Sequence, residues 1–168
     1  AAFLFESSES LSMFDKKQIN NKDEWIPSTK EQAESFGQFV EAKPNLLTAQ
    51  KNTICIMSLD KSIPQEFVAK CKEFVEAFYF GIKVQILKSI NINSLKVATR
   101  KKKNNKQYHA GDILNVLVKR TPIFAYATIF ITNVDIYHWD DWNYVFGLAH
   151  LGRWAGVFSF IWYHPNFY

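Results

Sequence analysis

The sequence predicts an α/β domain built on a mixed, mostly parallel five-stranded sheet with two or three helices. Three observations carry this expectation. A strand, a helix and a strand succeed one another between Thr53 and Ile86. Apolar, strand-like runs recur at Ala127 to Val134, Tyr144 to Ala149 and Val157 to Tyr163. Aromatic residues make up 16% of the 168 residues, a fraction that suits the large, half-buried surfaces of sheets. With 48% apolar residues, a chain of this length can bury one substantial core.

Residues 1 to 24 are rich in Ser, Lys, Asn and Glu, lack sustained periodicity and read as a loosely ordered leader, so that the domain itself is expected over 25 to 168. From Ser28 or Thr29, either able to act as an N-cap, the run to Ala42 reads as a helix burying Phe36, Phe39 and Val40, with Pro44 just past its end. Thr53 to Leu59 is a short apolar strand. Ser62 then stands as an N-cap and Pro64 in the first helical turn, and Phe67, Val68, Cys71, Phe74, Val75 and Phe78 recur at helical spacing. Gly81 supplies the left-handed residue that closes such a helix, and Ile82, Val84 and Ile86 alternate as the next strand. This is a βαβ unit with a right-handed crossover and a parallel strand pair.

Five cations crowd Arg100 to Lys106, a density able to contact phosphates, yet interleaved aromatics that would stack bases are missing. The stretch reads as a solvated loop. Asp112 to Arg120 forms a short helix with Ile113, Leu114, Leu117 and Val118 inward, ended by Pro122.

A net charge of +4 is too small to imply a nucleic-acid partner, and a monomer is expected. Cys55 and Cys71 have apolar neighbours and no second ligand pair, which points to free thiols in a reducing, cytoplasmic setting. The longest apolar run, Ile123 to Ile131, is about half of the roughly 18 residues that a membrane helix needs. Ala1 to Phe5 has neither the basic start nor the cleavage signal of a secretory peptide. The closing apolar strand, followed by no polar tail, reads as an interior wall and the chain as a fragment.

Several motifs in fixed order resemble the archaemetzincin family of zinc metallopeptidases. They are Glu24-Trp25-Ile26; Cys71 through Tyr79-Phe80-Gly81-Ile82-Lys83-Val84; His109-Ala110-Gly111-Asp112-Ile113-Leu114; and Asp135-Ile136-Tyr137 through Tyr144-Val145-Phe146-Gly147-Leu148-Ala149 to Gly156-Val157-Phe158-Ser159-Phe160. His138 replaces a Pro common in the family, Ile161-Trp162 replaces Ala-Arg, and His150 to Trp154 departs from its usual loop. The resemblance implies a metzincin-like N-terminal subdomain, truncated before the zinc-binding helix. The complete protein would hydrolyse peptide bonds with a zinc-activated water. It also implies an edge strand that pairs with extended peptide, with Tyr144, Phe146, Gly147 and Leu148 as the substrate-binding residues.

The catalytic zinc motif itself is missing. H-E-x-x-H sets two imidazoles one helical turn apart, whereas His109, His138, His150 and His164 are 29, 12 and 14 residues apart, and no C-x-x-C is present. No catalytic residue and no metal ligand are therefore assigned within this chain, and zinc is expected only in the complete protein. Asp135, His138, Asp140 and Asp141 form a weaker rival set, read instead as turn chemistry. Alternatives to the peptidase are a non-catalytic peptide-binding module of the same fold and, more remotely, a nucleic-acid binder. Apolar surface is expected to lie open around Phe158, Phe160 and Trp162, where the missing helix would pack.

Overall fold

The structure is a computed structural model that describes residues 35–42, 46–102, 104–165 and 167. The chain divides into two compact units, Ala1–Asn45 and Leu46–Tyr168. The expected leader, and the start of the helix expected from Ser28 or Thr29, lie outside the described residues. Within the first unit, α1 (Phe36–Glu41) is opened by a reciprocal cap: Ser35 Oγ accepts from the Gln38 N–H at 3.2 Å and Gln38 Oε1 accepts from the Ser35 N–H at 2.8 Å. Phe36, Phe39 and Val40, expected to be buried, are exposed.

The second unit holds the sheet. β1 (Thr53–Ser58), α2 (Gln65–Phe78) and β2 (Lys83–Ile86) form the βαβ unit, with β1 and β2 parallel in the register Thr53 to Lys83 through Ile56 to Ile86. Pro64, not Ser62, occupies the cap of α2, and the Ser62 N–H donates to Asp60 Oδ1 at 2.8 Å in the preceding turn. Gly81 has φ of +87°, the left-handed turn expected of it. β5 (Ala125–Thr132) pairs parallel with the other side of β1 and with β8 (Ala155–Ser159). β7 (Gly147–His150) closes the sheet antiparallel to β8, giving the order β2-β1-β5-β8-β7.

A second sheet was not foreseen. The basic stretch expected to be a loop is a hairpin of β3 (Thr99–Lys102) and β4 (Asn105–His109), and β6 (Asp135–Tyr137) pairs parallel with β4. Its cause is an alternation masked by charge: Arg100 and Lys102 lie half-buried while Thr99 and Lys101 face solvent, and Gln107 and Tyr108 of β4 are buried. β4 runs directly into α3 (Ala110–Leu117), which extends by one 3₁₀ turn over Val118–Arg120.

The strand expected over 144 to 149 is shorter and shifted to Gly147–His150, because Val145 turns inward to donate to Ile136 O at 2.9 Å. The one expected over 157 to 163 starts at Ala155 and ends at Ser159, where Phe160 enters a 3₁₀ turn over Ile161–Tyr163.

The main sheet has two unequal faces. On one, α3 packs on β7 and β8, and its buried Ile113, Leu114 and Leu117 join Phe130, Val157, Ile136 and Met57. On the other, α2 packs on β1 and β2, so that Val68 meets Ile54, Ile56, Val84 and Ile131. Nothing among the described residues matches α3 across β5, β8 and β7 on that second face, and Phe158 and Trp154 are exposed there. Phe130, fully buried on the central strand, carries the closed face. Phe130→Ala is expected to lower unfolding free energy by about 3–5 kcal/mol in denaturant titration, and Phe158→Ala by clearly less.

Candidate functional site

The site is built around β7 and the two faces that flank it. No strand among the described residues pairs with the outer side of β7. Phe146 O accepts from the Ser159 N–H at 2.8 Å, and residues of an antiparallel ladder alternate between facing the partner and facing away. Phe146, Leu148 and His150 therefore turn their backbone groups toward β8, and Gly147 and Ala149 present theirs to the open side. Two residues thus offer a peptide one donor and one acceptor each.

Of the four residues singled out from the sequence, Tyr144, Gly147 and Leu148 are half-buried and Phe146 is exposed. Tyr144 stacks on Trp162 with centroids 3.9 Å apart, and Phe146 packs edge-on against Tyr144. Leu148 is half-buried against the core on the α3 face. Gly147 lies opposite Phe158, whose ring covers it: a Cβ there would overlap the ring and stand 2.9 Å from Val157 O, and one at Gly156 would stand 2.8 Å from the same ring. Both glycines are needed so that Phe158 can lie flat across β7 and β8.

Beside Phe158 the second face opens into an apolar groove of about 610 Å³, lined by Ile129, Ile131, Phe160 and, from α2, Lys70, Cys71 and Phe74. The helix accordingly has two stripes, one packed on β1 and β2 and one, through Phe67, Phe74 and Phe78, turned to the groove side and solvent. Trp162, expected here, is not in the groove. Its indole N–H donates to Asp135 Oδ1 at 3.0 Å on the side of the second sheet, because the chain has already left β8.

The loop between β6 and β7 is held from the second sheet by a residue that the sequence placed among solvated cations. Arg100 Nη1 donates to Asp140 O at 2.7 Å, Nη2 to Trp142 O at 2.5 Å, and Nε to Gln107 Oε1 at 2.8 Å. Its guanidinium stands 3.9 Å from the centroid of the Tyr137 ring. Gln107 Nε2 in turn donates to Asp135 Oδ2 and to Asn143 O, both at 2.8 Å. A single Arg at the head of a lysine run was the available signal, since its planar fork suits carbonyl gripping better than ammonium groups do.

The histidines do not assemble a metal centre. His109 Nδ1 lies 3.1 Å from Asp112 Oδ1 and Nε2 lies 2.9 Å from His138 O, so both its ring nitrogens are engaged. Both oxygens of Asp135 are occupied by Gln107 and Trp162, which removes it from the rival set. Among the described residues no three His, Cys, Asp or Glu side chains converge as metal ligands. The Ala98 N–H, at 2.9 Å, together with His109 holds the Asp112 carboxyl below its ordinary range. Burial, with His109 beside it, holds His138 below the usual histidine range. No described helix is long and apolar enough to cross a membrane.

No protein-family model matches the chain. Archaemetzincin-2 of Mus musculus is 32% identical over 164 residues, covering 93% of this chain and 46% of the relative. Archaemetzincin of Pyrococcus furiosus is 33% identical over 109 residues, covering 63% and 55%. A crystal structure of archaemetzincin from Methanopyrus kandleri matches with a TM-score of 0.50 at 22% identity, over 68% of this chain and 61% of that one. The chain belongs to the archaemetzincin family. That family is one of zinc metallopeptidases, and the archaemetzincin fold is shared by the α/β sheet described above. The chain spans about half the length of the archaemetzincins that it matches, and its described residues do not fit a zinc ion.

Three outcomes test this geometry. Native alkylation with iodoacetamide is expected to modify Cys71, which lines the groove, and to spare Cys55, which is fully buried; mass spectrometry should show one adduct before unfolding and two after. Burial raises the pKa of Cys71, so the reaction should be slower than for a free thiol. Because the folded-state pKa of Asp112 is depressed, its contribution is present above the ordinary aspartate range and lost as pH falls through the lower folded value. Asp112→Asn should flatten that acid limb in denaturation followed against pH. Arg100→Gln is expected to cost about 1–3 kcal/mol and to speed amide exchange around Asp140 to Tyr144.

Proposed function

We propose that this chain is the sheet half of a zinc-dependent metallopeptidase, presenting β7 to an extended peptide while the metal-holding helix comes from chain beyond these 168 residues. The observation that supports it most is the groove: an apolar bed beside α2 and Phe158, next to the β7 edge of the sheet, of a character that an amphipathic helix would cover. Zinc, when bound there by other residues, would activate the water that attacks the peptide bond. The present residues orient substrate. Gly147 and Ala149 hold its backbone by main-chain hydrogen bonds, Phe158 keeps the strand flat beneath it, and the Arg100-held loop fixes where the strand begins. Alone, the 168 residues have no hydrolytic activity. The protein acts on peptides as a monomer, and its two free thiols favour the cytoplasm.

A second reading, a peptide-binding module that does not cut, is favoured by one fact: the β7 edge is complete here and needs no metal. The two readings separate on the parent protein. An H-E-x-x-H following these residues, with zinc-dependent cleavage of a quenched fluorescent peptide, supports the peptidase; binding without cleavage by the complete protein supports the module.

The edge is tested by N-methyl scanning. A valine and threonine hexapeptide should shift the amide resonances of Gly147 and Ala149, and methylating alternate peptide nitrogens that face β7 should abolish the shifts. Methylating the other set should not. Equal loss from both sets would refute strand pairing.

A further inference from the structure

The face of β7 opposite the groove carries a second, smaller cavity of about 280 Å³, lined by Gly111, Leu114, Asn115, His138, Leu148 and His150. Leu148 and His150 sit two apart on β7, so their side chains share this face, and a strand added to β7 would send every second side chain toward it. His138 reaches the cavity from the end of β6, its carbonyl oxygen accepting from His109 Nε2 at 2.9 Å and its ring stacked on that of His109 with centroids 5.7 Å apart. Its Nδ1 is buried and has no hydrogen-bond partner. That atom faces α3 where α3 carries no side chain: a Cβ on Gly111 would stand 3.6 Å from it and 3.1 Å from His109 Cε1.

We propose that this cavity is a side-chain subsite of the β7 edge and takes an acidic side chain, aspartate or glutamate, from the paired peptide. The donors are right for a carboxylate. His138, with its unpartnered Nδ1 beside Gly111, lines the cavity, His150 and the Asn115 amide stand exposed, and Leu114 and Leu148 supply apolar walls. No acidic residue among the described ones lines the cavity, and the nearby Asp112 is engaged by Ala98 N and His109. A buried imidazole nitrogen without a partner is costly, and a carboxylate placed there would satisfy it with a charge-assisted bond. The inference rests on the edge reading above.

The test titrates the full, isotope-labelled chain with acetylated, amidated hexapeptides of valine and threonine, carrying one aspartate at each position in turn, beside their asparagine isosteres. Aspartate should be preferred about fivefold, and only at alternate positions, with the His138 ring resonances shifting. His150→Ala, an exposed change, and His138→Leu should each reduce that preference to within about twofold. Amide shifts on β7 without any aspartate preference, or with a preference that neither variant moves, overturn the subsite and leave the edge reading standing. No shift on β7 with any peptide overturns both.

Discussion

A parallel sheet must be covered on both faces, and this constraint organises the molecule. Parallel strands are joined by crossovers that lay helices on their faces, and the side chains on both sides of such strands are apolar. Here β1 is buried along its whole length and β5 carries Phe130 to one side and Ile129 and Ile131 to the other. α3 and the second sheet close one face. α2 closes only the half over β1 and β2. The uncovered half is therefore an unmet demand of the fold.

The edge strand answers a different demand. As an exposed edge of the sheet, β7 must not invite its own copies to pair. It is short, four residues, and its start is tied by the Val145 and Phe146 backbone bonds. Phe158 lying over Gly147 and Gly156 substitutes an aromatic plane for the side chains that those positions lack. The outward backbone groups of Gly147 and Ala149 remain available, while the neighbouring side chains serve packing. The affinity of such an edge comes from main-chain bonds, and selectivity has to come from cavities on either side of it.

The βαβ unit, the central strand and α3 were legible because their signals are local: period-two and helical apolar spacing, a glycine with positive φ, a proline stop. The second sheet was not, because its strands bury a polar network of Gln107, Asp135 and Arg100 that no hydrophobic pattern announces. Strand ends slipped where aromatic runs continued past the pairing, as at Tyr144 and at Phe160 to Tyr163. For the site, the aromatic run marked the region of the edge strand, where Tyr144 and Leu148 are half-buried and Phe146 is exposed. The backbone of Ala149 and the His138 cavity depend on contacts between residues far apart in the chain, which spacing alone does not encode.

Arg100 grips the loop between β6 and β7 through main-chain oxygens of Trp139, Asp140, Trp142 and Asn143 and through none of its side chains. The grip is thus blind to composition and strict about path. Substitutions among those residues leave every anchoring oxygen in place, whereas an insertion or deletion would move them off the guanidinium. Over evolutionary time, this rim should drift freely in chemistry while keeping its length.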